Sequence, residues 1–365
     1  MKRYFLIALL YVITISSNQA QQYHSDKLMP VASFGKSMAI GLSVSSDNRV
    51  FVAFPNYNGD GKYTLTEEKN GELSPYPNVE WNTNGDYKSH LLRVQDLYVD
   101  ANDYLWVLDS KPASKGSIFG DDGKSEEGKF KLVKINTKND QVEKTYLFED
   151  LDKTVSGLND IRVDTEKELA YLSDPGQAAI VVLDLKTGKS RSVLVKTKFT
   201  LADDDLILDY GGNKMVDKNG KPFSSHVNGI ALTKDFKYLY FKPINQLNLY
   251  RIETKYLAKA DLSDKQLKKH VEDMGEVGIT HGLVADAKGN IFLTTSINYT
   301  ITYLSPDGQL HTLVQDSRLI WPDSLGTGSD GYLYFTCAQL QRLPQWNNGG
   351  DKTEYPYTMY KVKLP

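Results

Sequence analysis

The sequence predicts an all-β chain folded as a six-bladed β-propeller. Three features carry this prediction. One pattern recurs six times, its internal spacing is nearly constant, and its turns carry the residues of tight hairpins. The pattern is a small or polar residue, often followed by Gly or Asp, then an apolar strand, a turn and a second apolar strand.

The copies run 40–44 with 50–52, 95–100 with 105–108, 159–164 with 169–172, 228–233 with 239–241, 281–286 with 291–293, and 323–327 with 333–335. From first residue to second strand is 10 positions in five copies and 11 in the fourth. The turns read Asp-Asn, Asn-Asp, Lys-Gly-Asn or Asp-Gly, which supply the positive φ of a tight hairpin. Third strands are expected at 179–185, 247–253 and 300–305, and fourth strands at 190–195 and 310–314. A last strand, 357–364, ends the chain. Apolar Leu28–Phe34 is expected to close the ring as the outer strand of the last blade, which removes an open sheet edge. The copies start 55, 64, 69, 53 and 42 residues apart, so the insertions 53–90, 110–130 and 197–226 read as surface loops. No Pro/Ser/Gly linker splits the copies into two groups, and one domain is expected over 21–365.

Residues 1–20 read as an export signal: Met-Lys-Arg, an apolar run over 4–15, then a polar stretch to Ala20. Cleavage after Ala20 and a periplasmic or secreted protein are expected. No later segment approaches 18 apolar residues, so no membrane span is expected. The chain holds 43 Lys+Arg against 46 Asp+Glu, a net charge of −3, which provides no global footprint for nucleic acid or anionic lipid. The lone Cys337 excludes an intramolecular disulfide and a multi-cysteine zinc site, and reads as a buried small hydrophobe.

In a propeller the first strand of each blade lines the central channel, and the residue before it stands at one mouth. That phase holds Ile40, Gln95, Asn159, Asn228, His281 and Asp323, with Asp96 and Asp160 one position on. Convergent polar groups at one end of a closed fold make a ligand pocket. The plainer reading is that they cap strand starts and satisfy turn amides. His281 is the imidazole at this phase, a group that ordinarily titrates near neutral pH. It is the candidate proton shuttle, with Asp323 or Asp160 as partner. His226 is a second choice. No nucleophile elbow and no phosphate-loop spacing appears. The acidic runs at 121–122 and 203–205 read as solvated loops, and Trp106, Tyr171 and Phe241 as core.

A set of longer motifs occurs in one order: Ser-Pro-Tyr-Pro-Asn-Val-Glu-Trp-Asn (74–82), Leu-Asn-Asp-Ile (158–161), Tyr-Leu-Ser-Asp (171–174), Gly-Ile-Ala-Leu-Thr (229–233), Leu-Tyr-Arg-Ile-Glu-Thr (249–254), Trp-Pro-Asp-Ser-Leu-Gly (321–326), Gly-Tyr-Leu-Tyr-Phe-Thr (331–336) and Gln-Leu-Gln-Arg (339–342). The set resembles the major royal jelly protein/Yellow family over roughly 30–364. The short signal and the missing paired cysteines of the insect proteins suggest a microbial-type exported member. The resemblance implies a six-bladed propeller that binds ligands at the channel mouth. Some insect members convert dopachrome, some salivary members bind biogenic amines, and others are nutritive or structural. The family is also similar in fold to gluconolactonases and related calcium-dependent hydrolases. Their pattern of an acid on the first blade, Asn on middle blades and a later Asp is met here by Asn159 and Asn228, but Ile40 and His281 depart from it. No cofactor is therefore expected, with calcium as the alternative. Where the family often has Ser/Thr-Asn after its last inner hairpin, this chain has Cys337-Ala338. Thr336 and Gln339 remain as polar candidates.

The function read from these features is an exported propeller that binds a small molecule, with aromatic compounds among the candidates, through Gln95, Asp96, Asn159, Asn228, His281, Asp323, Thr336 and Gln339. The alternative is an enzyme using the same pocket, either a dopachrome-type tautomerase or a gluconolactonase-like metal-dependent hydrolase. A scaffold whose loops hold a protein or glycan is the third reading.

Overall fold

The structure, a computed structural model, describes residues 23–57, 61–113 and 127–365. The expected export signal, the 58–60 segment and the acidic pair at 121–122 lie outside the described residues. After β1 (Met29–Ser33), blade 1 is built from β2 (Leu42–Val44), β3 (Val50–Ala53), β4 (Leu65–Lys69) and β5 (Glu72–Pro75). Blade 2 holds β6 (Val94–Val99), β7 (Tyr104–Lys111), β8 (Lys129–Asn136) and β9 (Gln141–Tyr146). Blade 3 holds β10 (Ile161–Asp164), β11 (Leu169–Asp174), β12 (Ala179–Asp184) and β13 (Ser190–Val193). A small hairpin, β14 (Asp209–Tyr210) and β15 (Asn213–Lys214), stands in the connection to blade 4. That blade is β16 (Val227–Leu232), β17 (Tyr238–Pro243), β18 (Asn248–Glu253) and β19 (Val271–Glu276). Blade 5 is β20 (Leu283–Ala285), β21 (Ile291–Thr295), β22 (Thr300–Leu304) and β23 (Leu310–Gln315). Blade 6 is β24 (Pro322–Thr327), β25 (Tyr332–Cys337), β26 (Thr358–Lys363) and, outermost, β1.

The inner strands β2, β6, β10, β16, β20 and β24 touch in that order, and β24 returns to β2, so the six sheets form a closed six-bladed propeller. Closure uses both ends of the chain: Met29 pairs with Lys361 and Ser33 with Thr358. Leu28 is buried against blade 6 in a cluster with Phe335 and Val362.

Each blade is sandwiched between two others, so both faces of its strands must be apolar. On β7, Leu105 and Val107 enter the seam with blade 1. Their alternates Trp106 and Leu108 enter the seam with blade 3. The same logic fills the other four seams. Fully burying one such side chain is worth roughly 1.5–3 kcal/mol, so the seams hold the ring without disulfides. Trp106, Tyr171 and Phe241 are core, as read, and Cys337 is buried in the seam between blades 5 and 6.

The Gly or Asp after five of the six ring positions has two structural explanations; Asp323 is followed by Ser324. At Gly229 and Gly282 the inner strands approach so closely that a Cβ would lie 2.3 Å from the His281 carbonyl oxygen and 2.1 Å from that of Asp323. Between the inner strands of blades 2 and 3, and of 3 and 4, an Asp forms a bridge. Asp96 Oδ2 accepts the Ile161 N–H at 3.0 Å, and Asp160 Oδ2 that of Ile230 at 3.3 Å.

Two of the expected surface loops need correction. The stretch 53–90 contains β4 and β5, joined by an Asn70-Gly71 turn with φ of 56° and 86°. The charged residues of Leu-Thr-Glu-Glu-Lys hid the strand, yet Glu68 is buried because its carboxylate accepts the Gly71 N–H at 2.6 Å. The stretch 197–226 is not a solvated excursion either: Leu208, Tyr210, Met215 and Phe223 are buried over the channel.

Candidate functional site

The site grows from the starts of the inner strands. A seventh apolar cluster, separate from the six seams, roofs this end of the channel. It joins Ile40 to Leu208, Tyr210, Met215 and Phe223 of the long connection, and to Trp321, Ala338, Leu340 and Leu343 of blade 6. Phe223 meets Trp321 edge-on at 5.5 Å and Trp346 at 5.7 Å, and Tyr210 lies 6.1 Å from Trp321. Trp321, at φ 52°, turns its indole flat onto His281 with centroids 3.7 Å apart.

Beneath the roof the ring side chains bond across blades. Gln95 Nε2 donates to Asn159 Oδ1 at 3.2 Å, and Asn159 Nδ2 to Asp160 Oδ1 at 2.8 Å. The Tyr57 hydroxyl donates to Gln95. Arg162 fills the channel below: Nη1 donates to Asp96 Oδ2 at 2.9 Å, and Nη2 crosses to the Leu283 carbonyl of blade 5 at 2.9 Å. His281 Nε2 lies 2.6 Å from Ser296 Oγ, which is 3.0 Å from the Tyr210 hydroxyl. The Trp321 indole N–H donates to Asp323 Oδ2 at 3.1 Å. Asn228 reaches Ser225 Oγ at 3.5 Å.

Burial sets the charge states. Asp323 is pushed up to about 7 by burial, with the nearby Asp96 adding to the rise. Asp160 is raised well above the usual carboxylate range by burial and by the neighbouring Asp96. Asp96 is also raised by burial, against the opposing pull of Arg162. His281 is driven down to about 3 by burial, with Lys242 contributing. The sequence reading relied on an imidazole titrating near pH 7; here the ring is neutral at physiological pH, and the carboxyl of Asp323 titrates there instead.

The structure brings Gln95, Asp96, Asn159, Asp160, Asn228, His281 and Asp323 to one end of the channel. Thr336 and Gln339 serve neighbouring backbone. The Thr336 hydroxyl donates to the Ile40 carbonyl at 2.7 Å, and the Gln339 amide exchanges two bonds with Glu354 at 2.7 and 3.0 Å. His226 accepts the Ala202 N–H at 2.9 Å and braces the long connection. Asp203–Asp205 are exposed, as read. A groove of about 620 Å³ lies on the outer rim between blades 2 and 3, lined by Lys144, Tyr146, Phe148 and Lys186, and shares no residue with the ring.

Sequence reasoning missed Arg162, Trp321, Ser296 and Tyr210. Arg162 was legible in principle, since it stands two positions from Asp160 and therefore on the same channel-facing side of β10. Ser296 and Tyr210 come from other segments, and no local signal announces them.

The family model described as "Major royal jelly protein" matches residues 92–364. The chain belongs to the major royal jelly protein family. The match takes in blades 2 to 6 apart from β1. Its Trp-Pro-Asp-Ser-Leu-Gly stretch builds a wall of the mouth: Trp321 stacks, Asp323 lines the channel and Leu325 enters a seam. No curated protein matches this family member. Among solved structures it is similar to a luciferin-regenerating enzyme (12% identity, 93% of this chain and 97% of that one, TM-score 0.56). It is also similar to a gluconolactonase from Xanthomonas campestris (12%, 93% and 89%, TM-score 0.54) and to regucalcin, a calcium-binding protein from Agrobacterium tumefaciens (12%, 92% and 93%, TM-score 0.54). At this identity the likeness is one of fold.

The residues present fit calcium poorly. Calcium takes six to eight oxygen ligands. Here position 40 is apolar, position 281 is an imidazole engaged with Ser296, and Asp96 is committed to Arg162.

Proposed function

We propose that this family member is an exported protein that binds a small molecule at the roofed mouth of its channel. The observation that carries the reading is Asp323: a buried carboxyl, held near 7, beneath an aromatic roof and beside groups drawn from five blades. None of the bonds of Gln95, Asp96 or Asp160 given above is a turn bond within its own hairpin, which argues against strand capping as their whole purpose. No helix among the described residues is long and apolar enough to cross a membrane, which accords with export.

The test is a thermal melt of the chain from residue 21, first in EDTA, then with calcium, then with aromatic amines and catechol-derived compounds. A ligand at about 100 times its Kd adds roughly 2.7 kcal/mol and raises the midpoint by several degrees. The expected result is a rise with an aromatic compound and none with calcium. A rise with calcium alone would restore the metal-dependent hydrolase.

A second reading is favoured by the paired carboxyls. A group near 7 is the effective acid or base at neutral pH, and a second carboxyl raised by burial can return the proton. Asp323 would take a proton from the substrate's carbon and Asp160 would protonate the tautomer at its second site, with neutral His281 as a hydrogen-bonding partner. Dopachrome turnover by the wild type, lost in Asp323→Asn and His281→Ala with binding retained, would establish the isomerase. Binding without turnover would leave the binder.

A further inference from the structure

Arg93 stands two residues before Gln95, at the edge of the same mouth. Its guanidinium lies over the Tyr57 ring, 5.0 Å from the centroid, and Tyr57 bonds Gln95 of the ring. Five of the other described arginines pair with carboxylates: Arg49, Arg162, Arg251, Arg318 and Arg342. Arg191 donates to backbone carbonyls. Arg93 does neither: among the described residues it makes no ion pair, and its Nη1 is buried without a hydrogen-bond partner. A buried charged donor without an acceptor is costly, because its lost hydration is not replaced.

The backbone around it is clamped. The buried Asp109 carboxylate accepts the N–H groups of Leu92 at 2.8 Å and Arg93 at 2.6 Å, and the Ser110 N–H donates to the Arg93 carbonyl at 2.9 Å. Asp109 is itself neutralised by the buried Lys131, which also donates to the His90 carbonyl at 2.7 Å. The guanidinium is thus set on a rigid support, with an aromatic face behind it and a vacant donor edge.

We propose that Arg93 is a carboxylate anchor: the mouth takes a small molecule whose carboxylate pairs with this guanidinium and whose apolar ring lies under the Trp321–Phe223 roof. The proposal rests on the mouth reading above and names the class of ligand. A planar carboxylate matches the guanidinium fork with two parallel bonds. A dianionic phosphate fits worse, because Asp323 lines the same mouth and in its ionised form would repel the second charge.

The experiment is calorimetric titration of the chain from residue 21 with three probes: 3-(4-hydroxyphenyl)propionate, tyramine and inorganic phosphate. Wild type, Arg93→Met and Arg93→Lys are compared, each first shown to melt like wild type. The propionate is expected to bind wild type, to weaken roughly tenfold or more in Arg93→Met, and to be intermediate in Arg93→Lys, which keeps the charge and loses the fork. Equal affinity in Arg93→Met overturns the anchor. Binding of tyramine without the propionate also overturns it, while leaving the mouth as a binding site. Phosphate bound as tightly as the propionate overturns carboxylate selectivity. If none of the three binds, the ligand class proposed here is wrong.

Discussion

The six inner strands carry a ring of side chains at each end, and the two rings are used differently. Five residues after each ring position stand Ser45, Asp100, Asp164, Thr233, Asp286 and Gly328. Five of these six have side chains, and each of the five accepts backbone N–H groups of its own hairpin turn. Ser45 takes Arg49 N at 2.9 Å, Asp100 takes Tyr104 N at 3.1 Å, Asp164 takes Lys167 N at 2.9 Å, Thr233 takes Tyr238 N at 3.0 Å, and Asp286 takes Asn290 N at 2.9 Å. At the mouth three bonds reach another blade, Gln95 to Asn159, Asp96 to Arg162 and Asp160 to Ile230, while His281 meets Ser296 within its own blade. One end spends its polar groups on making turns. The other uses several of them to join blades and leaves the His281 Nδ1 buried without a partner. The same residue types do both, so identity alone does not mark a site; the bonds that cross from one blade to the next distinguish the mouth.

The largest expected effect comes from breaking the remote network. Arg162→Met leaves Asp96 buried without its cation and should cost about 3–5 kcal/mol in urea unfolding. The double variant Asp96→Asn/Arg162→Met should regain much of that loss; if it does not, the two residues are not coupled as described.

Asp323 sharpens the comparison through pH. Its folded value near 7 lies above the 3.8 of an ordinary Asp, so between those limits the native state binds more protons than the unfolded chain. Stability from this group is therefore present below pH 3.8 and lost as pH rises through 7. Asp323→Asn should melt higher than wild type at pH 8 and nearly the same at pH 3.5. An equal shift at both values would refute the buried carboxyl. His281 has the opposite sign. Held near 3, it favours the native state above pH 6.5 and withdraws that support as pH falls towards 3. A neutral His281→Gln variant should flatten this acid limb of the melting curve.

At the turn end the effects are smaller and local. Asp286→Ala removes the acceptor for Lys288 N and Asn290 N and should cost about 1–3 kcal/mol, with ligand affinity at the mouth unchanged. Ser45→Ala, which removes a single neutral bond to Arg49 N, should cost about 0.5–1.5 kcal/mol. A change in binding from either variant would break the separation of the two ends.

The sequence by itself determined the repeat, the strand phase, the closing role of Leu28–Phe34 and the ring positions. The repeat, the phase and the ring positions follow from contacts within one hairpin or from an alternation that recurs in every blade, and the closing role from an apolar segment that precedes the first copy and pairs with the last strand. It hid β4 and β5 because their outer faces are charged and their one buried acid, Glu68, is stabilised by a neighbouring amide. It put Thr336 and Gln339 among the ligand groups, where the fold spends both on backbone. What the folded ring alone decided is the chemistry of the mouth. His281 is neutral and Asp323 titrates near 7 because each is withdrawn from water by a roof drawn from residues 208–223 and 321–343. Arg162 neutralises Asp96 only because the blades curve round to face one another. Desolvation and charge pairing depend on what surrounds a group in space, and here those surroundings come from segments far apart along the chain.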